Sequence, residues 1–264
     1  MTLDMNTIVG THDLALIVLD ALRFDVAVEE MAGGGTPNLA ARIPAWERRH
    51  SPGTFTYASH AAFFAGFLPT PARPGRHPRR LALGFDGSET IDDSTCVLEG
   101  ATIVEGLAAR GYHTLCVGGV GFFNLGNPLG SELPGRFAER HWDRCTGVTD
   151  PRTFENQLDV VESSHAALPP DRRAFTFVNV AALHQPNHFY LRGGPERDSK
   201  QSHAAALRYV DAHVPRLFGV LGRRGPAFVI VTSDHGTLYG EDGYVGHRVA
   251  HPIVTTVPYA EVLL

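Results

Sequence analysis

The chain is short of the residues that would announce a disulfide framework, a membrane span or a nucleic-acid partner. Its 264 residues include three cysteines, Cys96, Cys116 and Cys145. An odd number without CxxC spacing argues against both a disulfide scaffold and a thiolate zinc site. Long hydrophobic runs are missing as well. The run LALIVL that follows MTLDMNTIVGTHD is far too short for a signal-peptide core or a span, and no basic segment precedes it, so the expected location is cytoplasmic. Basic charge is not in excess: 23 Lys and Arg stand against 28 Asp and Glu, a formal net charge of −5. Neither nucleic acid nor an anionic membrane is therefore expected as a partner. Composition carries no reading of oligomeric state.

What is present is an ordinary globular balance, 43% hydrophobic and 19% charged, with an unusual 14 histidines. That length and balance suit one sizeable core and a single domain over residues 1–264. LALIVLD (14–20), HTLCVGG (113–119), AFTFVNVAALH (174–184) and AFVIVTSD (227–234) are apolar and β-branched, the mark of strands buried on both faces. Amphipathic patterns predict helices at 23–32, 59–66, 153–167 and 201–221, and ATIVEGLAARG is a further helix with Gly111 as its C-cap signal. Strands alternating with helices predict an α/β fold with a largely parallel central sheet flanked by helices.

In such sheets ligands gather beyond the carboxyl ends of the strands, and three of these runs end in Asp20, His184 and Asp234. In VTSDHGTLYGEDGYVGHRVAHP, Asp234 and His235 stand side by side, Gly236 frees the backbone to turn, His247 follows twelve residues after His235, and His251 comes next. His184 and His188 flank QPN, where Pro186 makes a loop rather than a helical face. Carboxylate and imidazole together suit zinc or a similar divalent cation. Earlier, GTFTYASHAAFFAGFLP sets Thr56 and Ser59 at a helix entrance, where hydroxyls either cap free N–H groups or face a bound anion. Residues 69–98 interleave Pro69, Pro71, Pro74 and Pro78 with Arg73, Arg76, Arg79 and Arg80. That stretch reads as a solvated connection or as a cationic lid over an anionic substrate.

Taken in order, these motifs resemble those of the alkaline phosphatase superfamily, which includes sulfatases, nucleotide pyrophosphatases and phosphoethanolamine transferases. LDALRFD looks like its strand-end aspartate motif, TPNLAARIP (36–44) like the TPNL segment of sulfatases, and SDHG (233–236) like its paired Asp-His ligands. TYASHAAFFAGFLP is similar to its nucleophile segment, in which a Thr, Ser or Cys stands three residues before a Ser or Asn and ten before a Gly. Thr56, Ser59 and Gly66 satisfy both spacings. The resemblance implies an alkaline-phosphatase-like three-layer sandwich and a metal-dependent phosphomonoesterase or phosphodiesterase acting on a small phosphorylated molecule.

It also implies Thr56 as nucleophile and two divalent cations, zinc first, with manganese or magnesium as alternatives. One cation would be held by Asp20, Asp234, His235 and Thr56. The other would be held by His184, His188 and His247, with His251 as an alternative third histidine. Ser59, His60, Arg23, Tyr190 and Arg248 are candidate substrate contacts, chosen as sequence neighbours of the ligands. Two departures matter. His184 stands where many relatives have an aspartate, and Thr56 cannot be oxidised to the aldehyde hydrate that sulfate-ester hydrolysis needs. A phosphoryl or phosphoethanolamine-type transferase, or a C–P bond hydrolase, would use the same constellation; an inactive metal-binding module is a further alternative.

Overall fold

The structure, a computed structural model, describes residues 4–66, 81–82, 96–97 and 101–264. Asp13–Leu19 (β1), Glu47–His50 (β2), His113–Val117 (β3), Glu139–His141 (β4), Ala174–Val180 (β5), Ala227–Thr232 (β6) and Thr256–Leu263 (β7) form a seven-stranded sheet in the order β2, β7, β6, β1, β5, β3, β4. β1 lies at its centre, parallel to β5 on one side and to β6 on the other, with Val18 opposite Asn179 and Thr232. Only β7 is reversed, pairing antiparallel with both β6 and β2.

The four apolar runs are strands, as predicted. The sequence reading passed over β2, β4 and β7. Glu47–His50 is polar and β4, Glu-Arg-His, has no apolar residue, while Pro258 and Glu261 interrupt the apolar signature of β7. Such strands at or near a sheet edge need no apolar residues on both faces.

Helices cover both faces. Phe24–Ala32 (α1), Thr56–Ala65 (α2), Ile103–Ala109 (α3), Thr153–Ala167 (α4) and Lys200–Gly222 (α5) match the predicted segments with one displacement. α2 begins at Thr56, three residues before its predicted start, so Thr56 sits in the first turn rather than ahead of it. Gly111 ends the α3 segment at φ 88°, the left-handed conformation that its C-cap role requires.

Alternate residues of each strand feed two separate cores. Ile17, Leu19, Val178, Val180, Val229 and Val231 pack with α1, α4 and α5, whereas Val18, Phe175, Phe177 and Phe228 pack with α2 and α3. This double burial makes the molecule a three-layer sandwich. It also explains the TPNL segment, whose short helix Pro37–Ala40 is held by the buried Asp211 of α5 through the N–H groups of Asn38 (3.2 Å) and Leu39 (2.7 Å). The segment docks a short helix against α5. The proposed lid at 69–98 lies outside the described residues, except for Leu81–Ala82 and Cys96–Val97, which pair in parallel.

Candidate metal centre

β1 and β6 run parallel, so the residues that follow them emerge at the same sheet edge. Asp20 and Asp234 are fully buried there. Ala21 turns the chain at φ 63°, which brings its N–H to Asp234 Oδ1 at 3.0 Å and ties the two strand ends together. Gly236 is needed for space: a Cβ there would lie 2.1 Å from the carbonyl oxygen of Ile253. The glycine of SDHG therefore serves the close approach of the segment leading into β7, not a left-handed turn.

The ring of His235 is oriented by its own backbone. Nδ1 donates to the Gly236 carbonyl at 2.9 Å, which leaves Nε2 as a bare lone pair. That lone pair lies 3.4 Å from Asp234 Oδ2 and 3.9 Å from Asp20 Oδ1. Both of those oxygens are buried and have no hydrogen-bond partner among the described residues.

Three acceptors thus converge with no proton between them, an arrangement that is costly unless a cation occupies the centre. Asp20, Asp234 and His235 are also the one group of three or more metal-ligating side chains within reach of one another among the described residues. Donor set and orphaned atoms both fit a divalent cation. Burial, and for Asp20 also the facing Asp234, pushes the two carboxyl pKa values up to about 6. Burial depresses that of His235.

Thr56 is buried beside this cluster, its Oγ1 3.4 Å from Asp20 Oδ2 and 3.4 Å from His235 Nε2. α2 is pinned there by Ser59, whose hydroxyl donates to the Asp234 carbonyl at 2.7 Å, and by Ser51, which donates to the same carbonyl. Ser59 is therefore a structural tie rather than a substrate contact. His60, one turn after Thr56, is enclosed by Phe63, Phe64, Phe123 and Phe177, and its Nδ1 donates to the Thr56 carbonyl at 2.7 Å. Burial lowers its pKa to about 3, so it is a neutral, fully buried group behind the first turn of α2.

The expected second cluster is only half assembled. The His247 ring stacks on His235 with centroids 4.5 Å apart, and the His184 ring lies 5.5 Å from His247. The Nδ1 of His184 donates to the Gln185 carbonyl at 2.6 Å, again leaving Nε2 free to accept. His188 instead turns its Nδ1 to Asp198 at 3.4 Å, and its backbone N–H donates to the same oxygen. His251 caps the helix Pro252–Thr255 with Nδ1 and contacts Asp242 with Nε2, so both its ring nitrogens are engaged.

Two further candidates are corrected. The Arg23 guanidinium is buried and taken up by Asp25 (2.9 and 2.8 Å) and Glu241 (2.5 Å), joining the start of α1 to the loop after SDHG. Tyr190 stacks on Tyr209 of α5, centroids 4.7 Å apart, within the core beneath that helix. Arg248 is different. It is exposed, its backbone is held at φ 72° and fastened to the Thr54 carbonyl at 2.8 Å, and its guanidinium lies 5.5 Å from the ring of Phe55, the residue before Thr56.

A family model described as Sulfatase matches residues 13–259. The chain belongs to the sulfatase family. None of the curated proteins compared with it matches. Among solved structures, this sulfatase-family chain is similar to the C-terminal periplasmic domain of phosphoethanolamine transferase EptC from Campylobacter jejuni, with TM-score 0.64 and 15% identity over 96% of this chain and 80% of that one. It is also similar to the C-terminal periplasmic domain of EcEptC from Escherichia coli in complex with Zn, with TM-score 0.62 and 11% identity over 96% and 73% of the two chains. A protein in the alkaline phosphatase superfamily from Vibrio parahaemolyticus gives TM-score 0.57 and 19% identity over 96% and 61%. At these identities the likeness shows a shared fold, the alkaline-phosphatase-like sandwich. Among the described residues no helix is long and apolar enough to cross a membrane.

Proposed function

We propose that this sulfatase-family chain is one catalytic domain that hydrolyses phosphate esters of small molecules through Thr56. The observation that carries the reading is the buried Thr56 hydroxyl, within 3.4 Å of both Asp20 and His235, beside two orphaned carboxylate oxygens. Asp20, Asp234 and His235 would hold a divalent cation, zinc first, with Thr56 at its side. Bound there, it supplies Lewis-acid stabilisation of negative charge on the oxygens around phosphorus. The Thr56 oxygen forms the new bond to phosphorus while the ester oxygen leaves. The proton of Thr56 faces two acceptors, Asp20 Oδ2 and His235 Nε2. Water then cleaves the phosphothreonine.

His184 and His247 face the same space and would contact phosphate oxygens or take a second cation. Arg248, the exposed cation at the mouth, would meet the substrate's negative charge. Sulfate esters are not the expected substrates, because threonine lacks the chemistry of the aldehyde nucleophile. A transferase is the second reading. It is favoured by the structural likeness to phosphoethanolamine transferase EptC, and it differs only in whether water or an alcohol accepts the phosphoryl group. The cytoplasmic location remains part of this proposal, whereas the named neighbours are periplasmic domains.

Acid quenching during turnover of an aryl phosphate, followed by peptide mass spectrometry, tests the mechanism. The phosphoryl adduct is expected on Thr56 and not on Ser59. Thr56→Ala should lose turnover by on the order of 10³-fold or more while keeping its cation. Wild-type turnover by cation-loaded Thr56→Ala would overturn the covalent route. Phosphorylated product appearing on an added alcohol would move the assignment to the transferase.

A further inference from the structure

β5 is apolar along its length apart from Thr176 and Asn179, and Asn179 is fully buried at the sheet edge, opposite Val18 and two residues short of Asp20. Its amide has one orientation. Oδ1 accepts from the Val120 N–H at 3.0 Å, so Nδ2 must be the atom that points to Asp20, where it donates to Oδ2 at 2.8 Å. The surroundings are built to hold it. The buried Gln157 of α4 donates to the Asn179 carbonyl at 2.6 Å and to that of Gly118 at 3.2 Å. Gly119 lets the neighbouring chain approach closely, since a Cβ there would lie 2.4 Å from the Asn179 carbonyl oxygen and 2.9 Å from its Oδ1.

The consequence falls on the two oxygens of Asp20. Oδ2 receives the Asn179 amide and also the Thr56 hydroxyl, while Oδ1 is left without a partner beside His235 and Asp234. A carboxylate free to rotate could offer either oxygen, or both, to a cation. With one oxygen held by an amide, only the other is presented to the metal centre, and Thr56 keeps a fixed acceptor. We propose that Asn179 is a positioning residue that divides Asp20, reserving Oδ2 for the Thr56 hydroxyl and Oδ1 for the cation. The inference rests on the metal-centre reading above.

The test uses full-length protein stripped with chelator and titrated with Zn²⁺ or Mn²⁺ alone against a chromophoric chelator. Asn179→Asp keeps the shape and the acceptor for Val120 but removes the donor to Asp20; Asn179→Ala removes both. The control is Thr176→Val, on the same strand, which removes a buried hydrogen bond of 2.8 Å with His165 far from Asp20 in sequence. Both Asn179 variants should lose cation affinity by about 10- to 100-fold. With saturating cation they should also lower kcat more than they change KM. Thr176→Val should lower the unfolding midpoint and leave cation affinity in place.

If Asn179→Ala does not fold, the isosteric variant decides. Wild-type affinity and kcat in Asn179→Asp would overturn the proposal alone, as would an equal loss of affinity in Thr176→Val. A wild-type protein that binds neither cation would overturn it together with the metal-centre reading.

Discussion

At the scale of single residues, hydrogen-bond direction shows which imidazole nitrogens are left as lone pairs. His235 and His184 each spend Nδ1 on a neighbouring carbonyl and keep Nε2 as a lone pair, the arrangement that metal-binding imidazoles share. His141 and His213 contact Glu139 at 2.7 Å and Glu155 at 3.3 Å and lie outside the cluster of Asp20, Asp234 and His235. Asp234→Asn and His235→Ala should therefore weaken cation binding by at least about 100-fold, since each removes a ligand rather than its support. His141→Ala and His213→Ala should leave it unchanged. Calorimetric titration of the stripped proteins measures all four, and equal effects would mean that the cluster is not the binding site. Because Asp20, Asp234 and His235 form the one ligand cluster among the described residues, elemental analysis of dialysed protein should find about one tightly held equivalent rather than two.

At the scale of elements, the site depends on how α2 and the loop after β6 are pinned together. Ser51 and Ser59 both donate to the Asp234 carbonyl, so the start of α2 and the Asp234 loop are tied into one body. The Pro37–Ala40 helix lies outside that body and is fastened to α5 by Asp211. Asp211→Ala should leave the N–H groups of Asn38 and Leu39 without their acceptor and cost about 2 kcal/mol of stability, read by urea denaturation. Cation affinity should not change. A loss of affinity matching that of a ligand variant would show that the TPNL segment supports the metal centre after all.

At the scale of the whole molecule, the buried carboxyls couple stability to pH and to the cation. Asp20 and Asp234 have pKa values raised from 3.8 to about 6, so the cation-free fold keeps protons that the unfolded chain has already released between roughly pH 4 and 6. Their contribution therefore favours the fold below that window and weakens it as pH rises through it. His60 and His247, both lowered to about 3, act in the opposite sense, with stability present above pH 6.5 and lost as pH falls. A cation binds the deprotonated carboxylates and releases their protons. Added Zn²⁺ or Mn²⁺ should raise the unfolding midpoint clearly at pH 7.5 and little at pH 5. Thermal unfolding with and without cation isolates the effect, and a pH-independent shift would show that these two carboxyls are not the ligands.

Much of this was legible in the linear order of residues. Apolar β-branched runs must be buried on both faces, so β1, β3, β5 and β6 and the alternating helices followed directly, and with them the strand-end positions of Asp20 and Asp234. Adjacency in SDHG and the Thr56–Ser59–Gly66 spacing pointed to residues that the fold does bring together, Asp234, His235 and Thr56 beside Asp20, because those relations are local. What failed was whatever depends on partners distant in sequence. Arg23 looked free until Glu241 was brought to it, Tyr190 until Tyr209 stacked on it, and Ser59 until the Asp234 carbonyl arrived. Asn179 had no motif to mark it, only a polar side chain in an apolar strand. Its role exists because the parallel register sets it beside Asp20, and hydrogen-bond geometry across 159 residues of chain is a property of the folded sheet alone.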